Sequence, residues 1–420
     1  MAITRRRFLQ HGLTVVAAGV AVPPWLQELA QADPIAPLGS PAGVDDRILV
    51  VLQFSGGNDG LNTVVPYASP QYRLNRPTIG VSDTSVLHLD DAVGFHPNLQ
   101  GVKGLYDQGK VAVVQGVGYP HPNRSHFRSM EIWHTAVPER VERYGWIGRY
   151  LDTSPALYHN SLAGINIGVE APKAVQAEHA AVLSVSDVAR FGLVSSFGYA
   201  SRATSATELL KEIESSAGGG MGAPGSAESL VQQTTLDAFK CADQIRDGVK
   251  KYHSQVEYPE KNPVATGFQQ VAKLIAAGLG TRIYYVSTGG FDTHSREKEQ
   301  HDLLMQHIGD AVAAFWKDLE GMGAADRVTI MTFSEFGRRV HENAGGGTDH
   351  GTAGPMLLIG GKVKGGVYGG HPSLTDLDHG DLKYNVDFRS MYATVLAQWL
   401  NTDPTRVLGA AYPHLDVLNT

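Results

Sequence analysis

Residues 328–339 read VTIMTFSEFGRR. The run from Val328 to Phe333 is almost continuously apolar, and it ends abruptly in Ser334 and Glu335. A strand with one wet face alternates apolar and polar residues, whereas a strand covered on both faces reads as an unbroken apolar run. VTIMTF therefore predicts a strand inside a covered sheet, with a carboxylate released at its carboxyl end. Four further runs share this character: ILVVLQF (48–54), VAVVQG (111–116), RIYYVST (282–288) and MLLIG (356–360). Segments of helical period lie between or after them, at 98–109, 263–280, 301–323 and 388–401. This alternation argues an α/β fold with a mainly parallel central sheet and helices on both faces.

In open parallel sheets, ligands bind beyond the carboxyl ends of the strands. Asn58 and Asp59 follow the first run, between glycines. Asp292 and His294 follow the run at 282–288, Glu335 follows VTIMTF, and Asp349 and His350 precede MLLIG. Asp, Glu and His form the ligand set for zinc, manganese and related divalent ions. Each fragment alone also has an ordinary structural reading. Asp59 suits a turn, Asp292 or Thr293 suits a helix cap, and Glu335 could pair with Arg338. Their recurrence at successive strand ends favours a site. The triple glycine 345–347 lets the loop between Glu335 and Asp349 fold back, so that both ends face one pocket. His341 and Glu342 lie mid-loop and add little. After the run at 111–116 comes YPHPNRSHFRSMEIWHT (119–135), which places Ser125 at the first turn of a helix. A hydroxyl there can cap the helix or serve as a nucleophile, and the two roles are not exclusive.

The chain's beginning carries Arg5, Arg6 and Arg7, then Phe8 and Leu9, an apolar run from Leu13 to Val22, and Ala30 and Ala32 in the spacing of a cleavage site. The order predicts a signal peptide over 1–32, and the paired arginines suit the twin-arginine export signal. The apolar run is too short to span a bilayer, which takes about 20 residues, so no stable membrane span is expected in the mature chain 33–420. Periplasmic or secreted localisation follows, with the export machinery as a partner. The formal charge is −7 at pH 7, and removal of the signal makes the chain more acidic, which argues against a nucleic-acid partner. Cys241 is the only cysteine, so no intrachain disulfide and no cysteine-type zinc site can form; a buried apolar role is expected for it. The glycine-rich segment 215–229 sits within a predicted helical insertion near 200–260 of a single domain.

The twin-arginine start, FSGGNDGLNTVVPY (54–67), NRSHFRSMEIWHT (123–135), GWIGRY (145–150), FDTH (291–294), TFSEFGRR (332–339) and GTDHGTAGP (347–355) together resemble the bacterial family called domain of unknown function 1501. The resemblance covers nearly the whole mature chain. That family is placed in the alkaline phosphatase-like, or sulfatase-like, superfamily. The resemblance implies a three-layer sandwich with one or two divalent ions, zinc or manganese, at the strand ends. It implies Asp59, Asp292, His294, Glu335, Asp349 and His350 as metal ligands and Ser125 as nucleophile. His126 would act as acid or base, or orient Ser125. Arg124, Arg128, Arg338 and Asn58 are the candidate substrate contacts. Three departures stand out. Ser334–Glu335 occupies the place of the superfamily's Asp–His pair. The Asp292–His294 spacing is shorter than usual, which makes His301 a possible substitute. The sulfatase signature of Cys or Ser followed by Pro and Arg is absent, since 125–129 reads SHFRS. The expected function is an exported metal-dependent hydrolase or transferase of small-molecule or polymer phosphate- or sulfate-type esters. The competing expectation is a non-catalytic exported binding or assembly protein on the same scaffold.

Overall fold

The computed structural model describes residues 46–188, 241 and 243–419. The predicted signal segment 1–32 and the glycine-rich stretch 215–229 lie outside the described residues. Of the expected insertion, residues 243–250 are helical, and Cys241 is buried in the core beside Ile245.

The apolar runs form the strands they predict. The main sheet contains β1 (Ile48–Phe54), β2 (Val111–Gly118), β3 (Gly164–Ile167), β4 (Leu183–Val185), β5 (Ile283–Thr288), β6 (Val328–Ser334), β7 (Gly354–Gly360), β8 (Gly366–Tyr368) and β9 (Val386–Asp387). Their order is β8-β2-β7-β6-β1-β5-β3-β4, with β9 also pairing β2. All eight pairings among these strands follow from one rule: every strand runs the same way except β7, which is antiparallel to both β2 and β6. Consequently the carboxyl ends of β1, β2, β5 and β6 and the start of β7 share one edge.

All of β1 is buried, and its alternate residues serve different cores. Val50, Leu52 and Phe54 join a cluster on one face, while Leu49 and Val51 join the cluster on the other. The first face is covered by α1 (Gln100–Tyr106), α4 (Pro263–Ala276) and α5 (Glu297–Gly321). The second is covered by α2 (His126–Thr135), α3 (Trp146–Leu151) and α6 (Phe388–Thr394). The result is the expected three-layer α/β architecture. Local chemistry fixes the covering helices. Asn262 caps α4 by accepting from the Ala265 N–H, and Pro263 occupies the first turn, where no N–H is needed. Phe268 of α4 stacks on Phe315 of α5 with ring centroids 4.7 Å apart, which joins the two helices over the sheet. Among the described residues, no helix is long and apolar enough to cross a membrane.

Candidate functional site

The strand-end loops are drawn together by close backbone approaches. Gly56 and Gly57 adopt φ of +123° and +80° just past β1. A Cβ on Gly56 would lie 2.5 Å from the Asp292 nitrogen, so only glycine lets the β1 and β5 ends meet this closely. The β6–β7 connection folds back on itself: Gly337 donates to the Thr352 carbonyl, and Gly351 donates to the Gly337 carbonyl. Gly347 packs against Thr293–Ser295, where a Cβ would sit 2.4 Å from the His294 carbonyl carbon. Thr348 N–H donates to the Thr293 carbonyl at 3.1 Å. The triple glycine thus brings Asp349 and His350 against Asp292 and His294.

Arg338 ties these loops into one body. Its Nε donates to Gly57 O, Nη1 to Thr348 O, and Nη2 to Gly56 O, Phe291 O and Asp292 Oδ1. The side chain is fully buried and its donors are spent on the protein. It is a scaffold residue, which corrects its expected substrate role.

Three histidine rings converge on Asp292. His294 Nε2 lies 3.0 Å and His350 Nε2 3.1 Å from Asp292 Oδ1, and His126 Nε2 lies 3.5 Å from Oδ2. His294 Nε2 and His350 Nε2 are 2.9 Å apart. Each ring uses its other nitrogen on a group that only accepts. His126 Nδ1 meets Glu335 Oε1 at 2.9 Å, His294 Nδ1 meets Asp349 Oδ1 at 3.2 Å, and His350 Nδ1 meets the Arg124 carbonyl at 2.9 Å. Nδ1 must therefore carry the proton in all three rings. A neutral ring then aims an Nε2 lone pair at its neighbours. Two lone pairs at 2.9 Å repel, so a proton or a cation has to lie among them. His126 Nε2 is buried without a hydrogen-bond partner. The ligand atoms of His126, Asp292 and His350 lie within 4.8 Å of one another, close enough for a single ion. Histidines that ligate metals characteristically donate their second N–H to a carboxylate or carbonyl, as all three do here. The residues present therefore fit a divalent cation. Burial alone would raise the Asp292 carboxyl, but the hydrogen bond and charge of Arg338 lead the contributions that reverse this and bring it down to about 2. Asp292 is thus ionised and ready to bind a cation at any ordinary pH.

Other expected residues take different places. Glu335 is buried behind His126, and its Oε1 also accepts from the Gly56 N–H at 2.8 Å, so it supports a ring instead of facing the cluster. Asp349 likewise stands behind His294 and also accepts from Asn343 at 3.3 Å. The hydrogen bond from His294 holds the Asp349 carboxyl below its usual range. His126 joins the cluster instead of contacting Ser125 as an acid or base. Ser125 is exposed at the N-cap of α2, and its hydroxyl makes no capping bond. Its neighbours on both sides enter the site, Arg124 by its carbonyl and His126 by its ring. Arg128 is spent on Glu131 and on the Pro138 and Arg140 carbonyls, and the Arg124 guanidinium pairs with Asp381 at 3.1 Å. Asn58 is buried and accepts from Thr63 at 3.0 Å, which removes it from substrate contact. The cap expected at Asp292 or Thr293 is absent, because α5 begins only at Glu297 after Arg296 in a left-handed conformation, φ +47°.

Asp59 belongs to a separate buried network. It caps the short turn Gly60–Thr63 and pairs with the fully buried Arg76. Glu297 lies against it, with Oε2 accepting from Thr348 Oγ1 at 2.5 Å and Oε1 lacking any donor. Two carboxylates can bond only through a shared proton. Burial, and then the Asp59 charge, push the Glu297 carboxyl up to about 9, while the Arg76 cation overcomes burial to hold Asp59 well below its normal range. His301 sits in the same network, 3.3 Å from Thr63 Oγ1. Its burial brings the ring down to about 3, so it is neutral. It does not replace a ligand at Asp292. Arg76 and Glu297 carry no motif in the sequence that would have marked them.

An open cleft of about 310 Å³ adjoins the cluster, lined by Asp292, His294, Ser295, Arg296, Glu299 and Gln300.

A family model described as protein of unknown function (DUF1501) matches residues 118–412. No curated protein matches the sequence. Solved structures similar to the chain include a protein in the alkaline phosphatase superfamily from Vibrio parahaemolyticus, with 10% identity, 93% of this chain and 78% of that one covered, and a TM-score of 0.36. The PsFucS1 sulfatase from Pseudoalteromonas sp. gives 12%, 88%, 70% and 0.36 on the same measures. The C-terminal periplasmic domain of EcEptC from Escherichia coli gives 11%, 90%, 90% and 0.38. These likenesses are distant, and the architecture above rests on the chain's own sheet and layers.

Proposed function

The chain belongs to the DUF1501 family, whose description gives no function, and we propose from its own residues that it is an exported divalent-metal-dependent hydrolase or transferase of phosphate- or sulfate-type esters. The observation that carries this reading is the set of three histidines, each anchored through Nδ1 and each directing Nε2 at Asp292. His126, Asp292, His294 and His350 would hold the ion, and nitrogen with carboxylate donors suits zinc or manganese. A divalent ion there supplies positive charge to ester oxygens and acidifies a nearby hydroxyl. Glu335, Asp349 and the Arg124 carbonyl keep the rings oriented and fix their tautomers. Ser125 is the nucleophile in this reading. Its hydroxyl gives its proton to solvent water as Oγ forms a bond to phosphorus or sulfur and the bridging ester bond breaks, and the departing alkoxide takes a proton back from that water. A water or an acceptor alcohol then bonds to phosphorus or sulfur as the bond to Ser125 Oγ breaks, and its proton passes through solvent to Oγ.

A second reading also has an observation in its favour. Asp59 is spent on Arg76 and Glu335 on His126, so one cluster of potential ligands remains among the described residues. A single-ion binding or assembly protein would need no more. Metal analysis of the purified protein together with turnover of an aryl phosphate, an aryl sulfate and a phosphodiester separates the two. About one equivalent of metal, metal-dependent turnover, and loss of both in Asp292→Ala support the hydrolase. Metal without turnover of any ester favours the binding role, and full metal content in Asp292→Ala contradicts the site. Twin-arginine export of one domain, 33–420, after removal of 1–32 is part of the same proposal. Cell fractionation of an Arg5→Lys, Arg6→Lys variant tests it, with retention in the cytoplasm expected.

A further inference from the structure

The three arginines expected to meet the substrate are occupied elsewhere. Arg338 is buried on four carbonyls and Asp292, Arg128 is held by Glu131 and two carbonyls, and Arg124 is paired with Asp381. Arg339 also reaches Asp381, at 3.5 Å, and the His379 carbonyl. A hydrolase of anionic esters still needs a cation for the oxygens that its metal does not contact. The cleft beside Asp292 and His294 contains one arginine, Arg296. Its side chain is exposed and makes no hydrogen bond or ion pair with any described residue. Its backbone is held fast: the Arg296 N–H donates to Gly345 O, and the following Glu297 N–H donates to Gly346 O at 2.9 Å. The glycine loop that delivers His350 thus also fixes where Arg296 departs from the chain. An anchored backbone, a free guanidinium and an open cleft shared with two members of the histidine–carboxylate cluster together describe an oxyanion subsite.

We propose that Arg296 is the residue that receives a tetrahedral oxyanion, phosphate or sulfate, in the cleft beside Asp292 and His294. Guanidinium groups suit this ligand because their planar fork offers paired N–H donors to two oxygens. The inference rests on the reading of the cluster as a cation-holding hydrolytic site. The test uses the full chain, loaded with zinc and freed of excess ion, and titrates inorganic phosphate and inorganic sulfate separately by calorimetry. Arg296→Asn is the informative variant, since asparagine tolerates the left-handed backbone that position 296 adopts. Zinc affinity should be unchanged in Arg296→Asn, while the preferred anion binds about tenfold more weakly, and Arg296→Lys should recover part of the loss. Whichever anion loses affinity identifies the ester class. Equal anion affinity in wild type and Arg296→Asn overturns the assignment, as does a zinc-loaded wild type that binds neither anion. Loss of zinc together with the anion in Arg296→Asn also overturns it, because the side chain would then act on the fold. If the wild type binds no zinc but binds an anion through Arg296, the hydrolase reading fails and the subsite stands.

Discussion

Replacing Glu335 by glutamine removes a charge while leaving volume and shape unchanged. Glu335 Oε1 accepts from His126 Nδ1 at 2.9 Å and from the Gly56 N–H at 2.8 Å, and Oε2 lies 3.1 Å from the Ser334 hydroxyl. A glutamine carbonyl in the Oε1 position still accepts both bonds, so His126 keeps its orientation. The lost quantity is the negative charge that makes His126 Nε2 a stronger donor toward a cation. Removing such a supporting group weakens metal binding by roughly 10–100-fold, or about 1.4–2.8 kcal/mol. Glu335→Ala goes further and leaves the His126 and Gly56 N–H groups without their acceptor in a buried place, at about 1–3 kcal/mol each. Zinc affinity by chelator competition, read alongside the urea midpoint, distinguishes the two effects. Glu335→Gln should lose zinc affinity with little change in midpoint, and Glu335→Ala should lose both. Wild-type zinc affinity in Glu335→Gln would refute the role assigned to the His126–Glu335 pair.

Arg338→Lys should destabilise the protein by roughly 3–5 kcal/mol, because one ammonium cannot serve four carbonyls and Asp292 at once; a lowered urea midpoint checks this, and an unchanged one contradicts the scaffold role. Gly347→Ala should force the glycine loop away from Thr293–Ser295 and weaken zinc binding, whereas Gly346→Asn, at a φ of +67° with nothing within 4 Å, should be tolerated. The Glu297 carboxyl is raised to about 9 from an ordinary value of 4.5, so the folded state holds a proton that the unfolded chain releases. Stability therefore declines as pH rises through the window from about 4.5 to about 9. Glu297→Gln keeps a donor for Asp59 and an acceptor for Thr348 without titrating. Its melting temperature should fall less than that of the wild type between pH 5 and pH 9, and parallel curves would contradict the shared proton.

The sheet was readable because both faces are covered, which leaves unbroken apolar runs whose ends fall close to the observed strand boundaries. The reversed direction of β7 was not readable: MLLIG carries the same pattern whichever way it runs. Placing carboxylates and imidazoles at strand ends identified Asp292, His294 and His350, which the structure brings together. It misplaced Asp59 and Glu335, because a strand-end carboxylate looks the same in sequence whether it faces the cleft or is buried against a partner. Arg76 follows Asp59 by 17 positions with no periodic signal, and only the folded chain shows the two paired. His126 was noticed for its proximity to Ser125, but its alignment with Asp292 depends on Glu335, 209 positions later. The arginines were misread for a related reason. Whether a guanidinium serves a ligand or the protein's own carbonyls depends on where those carbonyls lie, and backbone positions leave no trace in residue type.

Crystals of the full chain soaked in zinc, with anomalous diffraction recorded at the zinc edge, locate the ion directly. A peak about 2.0–2.2 Å from Nε2 of His126, His294 and His350 and from the Asp292 carboxylate is the predicted result. Saturating zinc that leaves this position without a peak, or a peak held by other residues, would contradict the metal site on which the proposed activity rests.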